Sequence, residues 1–395
     1  MSRMQKEMKM NSAELQVIID RGEDGKHQFK SNVTNVNALA AEMVAFSNSS
    51  GGIILIGVSD DGSYSGLTRE DMGRLNQLVA NAASQSVRPP INPQTENIAI
   101  ANGLVMAVQI PQGISKPYMD NNGLIWVKSG SDKRKVSARE EIQRMYQAAS
   151  LVHGDEIPAK GLGIKELDKE YFDAFLQKHF NTALDELDIP LSTLLENMNL
   201  MQNGVFNVAG ALLFTRNPSF CLPIFIVKAV AFPGTDSNTS IYLDSQDMSG
   251  KMLNVFKESL GFITRNLHYI QAGQSVNSLG ELEIPLIVFE ELLTNALIHR
   301  DYFVSATIRL LIFRDRIEII SPGHLPNNLT VAKIKLGNSN IRNPILVSFA
   351  SRILPYRGLG SGIVRALAAY PDIEFIDDRE NNLFKAIIKR PPFPG

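Results

Sequence analysis

The chain has 395 residues, is 44% hydrophobic and 20% charged, and carries a formal net charge of −2. This composition supports sizeable cores and excludes a disordered or collagen-like chain, and the near-neutral charge confines any nucleic-acid binding to a local basic patch. A single cysteine, Cys221 in the apolar run SFCLPIFIV, excludes a disulfide framework or zinc ribbon and reads as a buried, inert thiol.

Residues 1–12 are rich in Met and Lys and read as a frayed start or a partner-facing arm, with Asn11-Ser12 capping a helix over Ala13–Asp20. The opening segment is too polar for a signal peptide, and no apolar run reaches about 18 residues, so the expectation is a cytoplasmic protein without membrane partners. After a turn at Gly22–Gly25, HQFKS (residues 27–31) reads as a short strand, and Asn35–Ser47 as an amphipathic helix. Residues 48–52 form a glycine-rich turn into a buried strand, GIILIGV, followed by the tight turn SDDGS and a helix over residues 69–86. Three strands follow, at 95–100, 104–110 and 124–128, the first two joined at Asn102-Gly103. Ser137 is placed to cap a helix over Ala138–Ala149. These elements make an α+β unit over residues 1–150. Residues 151–163 read as a linker.

Residues 164–275 read as a mixed middle domain: helices near 165–181 and 192–198, a helix or strand at 208–214, a core strand at 222–232 and a helix over 247–267. Residues 276–395 form the last domain. Its main element is FEELLTNALIHRDY, Phe289–Tyr302. Glu291, Asn295 and His299 are four apart and drift by about 40° per step on a helix, so they share one face. Ile287, Val288, Leu292, Leu293, Ala296 and Leu297 form the apolar remainder. Strands at 306–313 and 316–320, the Ser321-Pro322-Gly323 turn, and a short helix or lid over 327–336 follow. The glycine-rich turn Arg357–Gly362 then runs directly into a helix, a favourable anion site. The expected fold class is thus α+β and multidomain.

The first unit resembles the Schlafen-type AlbA-like domain. The resemblance rests on Gln28-Phe29-Lys30, Ala45–Gly66, Lys116-Pro117-Tyr118 and Val127–Ser131 in order. It implies contact with DNA or RNA, with DNA the favoured partner. Some family members are metal-dependent nucleases using three acidic residues. Glu23 and Asp60 stand at two such positions, but Gln28 stands at the third, and an amide is a poorer ligand for a hard cation. Lys128, Lys133, Arg134, Lys135 and Arg139, joined by Lys30 and Lys116, form a candidate phosphate-tracking patch. Tyr118 is available to stack on bases, while Trp126 reads as core.

The last unit resembles the GHKL-type ATPase domain, the Bergerat fold, in the divergent form found behind Schlafen-type AlbA-like domains in "RecG-like" transcriptional regulators. The resemblance implies an α/β sandwich that binds ATP with Mg²⁺. Asn295 would ligate Mg²⁺, Glu291 would act as general base, Gly358, Gly360 and Gly362 would cradle the phosphates, and Gly323 would line the base pocket. Ser321 replaces the aspartate that GHKL domains use to read adenine. Together these readings describe a nucleic-acid-binding transcriptional regulator with a nucleotide-sensing domain and possible weak ATPase activity, expected as a homodimer. The alternatives are a Schlafen-like nuclease and a non-catalytic scaffold.

Overall fold

The structure is a computed structural model that describes residues 10–149, 151–237, 240–270, 280–326, 329–358 and 360–392. Residues 1–9 of the expected arm and the start of the expected lid at 327–328 lie outside these. The chain divides into two compact units, Met1–Leu151 and Val152–Gly395.

In the first unit the elements are α1 Ser12–Arg21, β1 His27–Lys30, α2 Val36–Asn48, β2 Gly52–Ile56, α3 Arg69–Asn81, β3 Val87–Arg88, β4 Gln94–Ile100, β5 Gly103–Ile110, β6 Met119–Asp120, β7 Trp126–Ser129, β8 Asp132–Lys135 and α4 Arg139–Ala148. Asn11 closes a capping box with Glu14 at the start of α1. A four-stranded sheet runs in the order β1-β2-β5-β4, with β1 parallel to β2 and the other pairs antiparallel. The α2 helix is buried without interruption from Leu39 to Asn48, so it serves as the hub of this core. Its last residue, Asn48, donates to the carbonyls of Tyr118 and Trp126, both at 2.9 Å, and accepts from the Tyr118 N–H at 2.7 Å. Ser137 does not cap α4: Ala138 holds that position with no side-chain bond.

In the second unit the elements are β9 Pro158–Gly163, α5 Lys169–Phe180, α6 Leu191–Asn197, β10 Met201–Gln202, β11 Val205–Asn207, α7 Val208–Phe214, β12 Val227–Ala231, β13 Asp244–Met248, α8 Met252–Arg265, β14 Tyr269–Ile270, β15 Glu281–Leu282, α9 Leu286–His299, β16 Ile308–Ile312, β17 Arg316–Pro322, α10 Val331–Lys335, α11 Pro344–Ile353, α12 Gly362–Ala369, β18 Ile373–Asp378 and β19 Leu383–Lys389. Among the described residues the main sheet has six strands in the order β13-β12-β16-β17-β19-β18. Only the β12–β16 pair is parallel; the chain between them makes the α8 and α9 crossover. Burial alternates along β12 and β16, as expected for a sheet covered by helices on one face.

Three sequence expectations are revised here. Residues 247–267 are not one helix: Asp247 and Met248 pair with Lys228 and Val227 as strand, and α8 starts at Met252. Cys221 is exposed, just past the turn Pro218–Phe220, and not buried. The segment 151–163, expected as a linker, carries the turn Gly154–Glu156 and strand β9, which pairs with β11. The boundary expected at 275/276 falls outside the described residues, and one sheet and one continuous core draw on both sides of it, from Ala159 to Ile388.

Candidate nucleotide pocket and basic face

The α9 helix faces inward with Val288, Phe289, Leu293 and Leu297. Its polar row opens onto a cavity that is partly open to solvent. Glu291, Asn295 and His299 line it together with Gly358, Gly360, Ser361, Gly362 and Arg365. Ile319, Leu325, Leu329, Ile334, Phe375, Phe384 and Ala386 give the far end an apolar lining. The expected pairing of the α9 row with the distant glycine turn is therefore present in three dimensions.

The α12 helix begins at Gly362, and no side chain caps it. Its first-turn N–H groups are thus available to an anion beside the row on α9. Gly360 has a φ of 69°, which glycine adopts without strain. Gly362 has a different constraint: a Cβ there would lie 2.5 Å from Glu291 Oε2, so only glycine lets the carboxylate sit against this turn.

Glu291 is 3% exposed and accepts through Oε1 from Arg365 Nε at 2.8 Å and Nη2 at 2.5 Å. Arg365 Nη1 also donates to Ser361 Oγ at 2.5 Å. Asn295 makes no hydrogen bond among the described residues, which leaves its amide oxygen for a hard cation that phosphate oxygens would also hold. His299 approaches Tyr356 Oη at 3.5 Å, and burial, with the nearby Arg342 charge, lowers its pKa to about 4. At neutral pH it is an uncharged imidazole.

Ser321 lines the cavity, and its hydroxyl donates to the Ala296 carbonyl at 3.2 Å. Gly323 lies against Asp301 and Arg342 with a φ of 99°. Within His299-Arg300-Asp301, Arg300 is 1% exposed, donates to the Val304 and Ala306 carbonyls and lies over the Phe225 and Tyr302 rings. Asp301 Oδ1 accepts from the Phe303 N–H at 2.9 Å, so the segment organises the loop after α9.

Arg342-Asn343-Pro344 belongs to the motifs that carry the GHKL resemblance, but sequence reading assigned no role to Arg342 or Asn343 and did not single out Arg365. Arg342 donates to the His299 and His324 carbonyls, and Asn343 Nδ2 to those of Ile298 and Arg300, which satisfies the carbonyl end of α9. Arg365 had one legible signal: a cation in the opening turns of a helix opposes its dipole and calls for an anionic partner.

On the first unit, the expected basic patch is largely committed to internal bonds. Lys133 pairs with Glu42 at 2.6 Å, and Arg134 forks onto Glu141 at 2.9 and 2.6 Å. Lys128 donates to Gln28 Oε1 at 2.7 Å and to the Ser131 carbonyl, and Lys116 donates to the Ser49 carbonyl at 2.7 Å. Burial lowers the pKa of both Lys116 and Lys128. Lys30 and Lys135 make no ion pair among the described residues, and Arg139 pairs only with its exposed neighbour Glu140. Tyr118 is 5% exposed and belongs to the core rather than to a stacking surface. Trp126 is half-buried and donates to Asp120 Oδ2 at 2.8 Å. Glu23 Oε1 accepts from Gln28 Nε2 and the Phe29 N–H, while Asp60 is exposed. Among the described residues no three His, Cys, Asp or Glu side chains converge as a metal-ligand set.

Residues 23–137 match the family described as "Schlafen, AlbA_2", and residues 305–382 match that described as "Putative ATP-dependent DNA helicase recG C-terminal". The chain combines an AlbA_2-type domain with a recG C-terminal-type domain. The second match includes Gly323, the glycine turn and Arg365, and starts after Glu291 and Asn295. Among solved structures, the DIP2311 protein from Corynebacterium diphtheriae is similar at 18% identity, with a TM-score of 0.45, over 96% of this chain and 80% of that one. The N-terminal domain of a putative ATP-dependent DNA helicase RecG-related protein from Nitrosomonas europaea is similar at 16% identity, with a TM-score of 0.23, over 33% of this chain and 96% of that one. No curated protein matches. Among the described residues no helix is long and apolar enough to cross a membrane.

Proposed function

We propose that this protein is a nucleic-acid-binding transcriptional regulator whose second unit binds a nucleoside triphosphate. The carrying observation is the cavity that brings Glu291 and Asn295 together with the uncapped start of α12 and with apolar residues such as Ile319, Phe375 and Phe384. Asn295 would hold Mg²⁺ together with the phosphates, and the cation would neutralise phosphate charge. Gly358, Gly360 and Gly362 would let the backbone approach the phosphates, and Gly323 would border the base. Glu291 would take a proton from a water as the water oxygen bonds to the terminal phosphorus and the bond to the leaving nucleoside diphosphate breaks. With Ser321 bonded to Ala296, no carboxylate from that turn reads the base, so selection between purines is weak.

The AlbA_2-type domain would supply nucleic-acid contact, through Lys30, Lys135 and Arg139 more than through the internally paired cations. Within the second unit, His153 Nδ1 lies 3.0 Å from the carbonyl of the pocket-lining Arg342, and Asp155 accepts from the Leu346 N–H. Calorimetry with ATP and Mg²⁺ tests the reading. Wild type is expected to bind and Asn295→Ala to lose at least tenfold; absence of heat in both overturns it.

A further inference from the structure

We propose that Arg365 is the residue that distinguishes a triphosphate from a diphosphate, by exchanging Glu291 for the terminal phosphoryl group. The inference rests on the nucleotide reading above and adds a role to a residue that reading leaves unused. The guanidinium is held on one side by Glu291 Oε1 and on the other by Ser361 Oγ. Glu291 is 4% exposed in its side chain and Arg365 27%, so the carboxylate is fixed in the wall and the cation is the partner with room to move. Both lie beside Gly362, where the phosphate-binding turn becomes helix.

Two N–H groups of Arg365 fork onto one carboxylate oxygen. A phosphoryl group offers the same fork more charge and more acceptor oxygens. A diphosphate that ends short of Arg365 leaves the ion pair intact. A triphosphate draws Arg365 away, and Glu291 then loses its cation and is free to accept a proton from water. The pair thus keeps the general base occupied until the γ-phosphoryl group is present.

The test is calorimetry on the full chain, with Mg²⁺, using ADP and adenosine 5′-(β,γ-imido)triphosphate. Wild type is expected to favour the imido-triphosphate at least tenfold. Arg365→Gln is expected to bring the ratio within twofold while ADP affinity is retained. Arg365→Lys should keep part of the preference, and Glu291→Gln should tighten the imido-triphosphate by removing its competitor. Because Arg365→Gln leaves a buried carboxylate unpaired, Glu291→Gln/Arg365→Gln serves as a folded control and must also lack the preference. If wild type binds neither nucleotide, the underlying reading falls. If it binds both equally, or if the folded double variant keeps the preference, the role given to Arg365 falls alone.

Discussion

Gln28 donates from Nε2 to Glu23 Oε1 at 2.5 Å, at the place where a nuclease reading asks for a second carboxylate. The same Glu23 oxygen holds the Phe29 N–H at 2.6 Å, and Lys128 reaches Gln28 Oε1 at 2.7 Å. The amide is therefore the bridge of a closed Glu–Gln–Lys chain, and it lets Glu23 anchor the entry to β1.

Replacing that bridge by Gln28→Glu sets two carboxylates against each other. One of them is expected to titrate higher in the folded protein, costing on the order of 1 kcal/mol at pH 7. Since its folded pKa is raised, the penalty is present above the ordinary glutamate range and disappears as pH falls below it. Thermal unfolding at pH 7 and pH 4 checks the sign. Millimolar Mn²⁺ should recover the loss at pH 7; no recovery would show that two carboxylates here do not build a cation site.

The internal pairing of the basic residues predicts an uneven response to alanine scanning. Lys133→Ala strands Glu42, which is 7% exposed and has one oxygen already unpartnered, so stability is expected to drop by about 2 kcal/mol or more. Lys30→Ala/Lys135→Ala should leave stability within about 0.5 kcal/mol and lower the slope of log K against log salt by roughly 1 to 2. Denaturant unfolding and fluorescence anisotropy on a short DNA duplex read these separately. An unchanged slope would remove Lys30 and Lys135 from the interface.

The parts of the fold set by local chemistry were legible. Asn11 caps α1 as the Asn11-Ser12 pair suggests, Asn102-Gly103 joins a hairpin, and the four-residue spacing of Glu291, Asn295 and His299 brings them to one cavity. What escaped depends on partners far along the chain. Nothing near Lys133 announces that its charge is absorbed by Glu42, 91 residues earlier. Met248 stands four residues before Met252, in step with the apolar stripe of α8, yet it and Asp247 pair with β12 as strand. The shared core across the second unit was hidden because its strands lie on both sides of a polar stretch that reads as a boundary.

Asn343 is fully buried and donates to the carbonyls of Ile298 and Arg300 at 2.7 and 2.9 Å. Asn343→Ala leaves both without a partner in a dry site, so the expected cost is on the order of 3 kcal/mol. Asn343→Asp should be worse at neutral pH, because it sets a carboxylate against two carbonyl oxygens. Chemical denaturation measures both. A cost below about 1 kcal/mol for the alanine variant would mean that water replaces the amide and that the end of α9 is not held by this residue.

Asp155 and His299 supply opposing pH terms over one window. Asp155 is fully buried, and desolvation raises its pKa to about 6, an effect the Leu346 N–H only partly offsets. Its folded state holds a proton more tightly than the unfolded chain, so it costs stability progressively from about pH 4 to about pH 6. His299 is depressed to about 4 by desolvation and by the Arg342 charge. Its contribution is complete above the ordinary histidine range and is lost as pH falls toward 4. Each amounts to about 3 kcal/mol, so the wild-type stability profile between pH 4 and 6 should be nearly flat. His299→Gln leaves Asp155 unopposed, and stability should then fall as pH rises through this window. Asp155→Asn leaves His299 unopposed, and stability should then rise. Urea unfolding at half-unit pH steps on the three proteins separates the two slopes. Parallel profiles in all three would show that neither group titrates between pH 4 and 6.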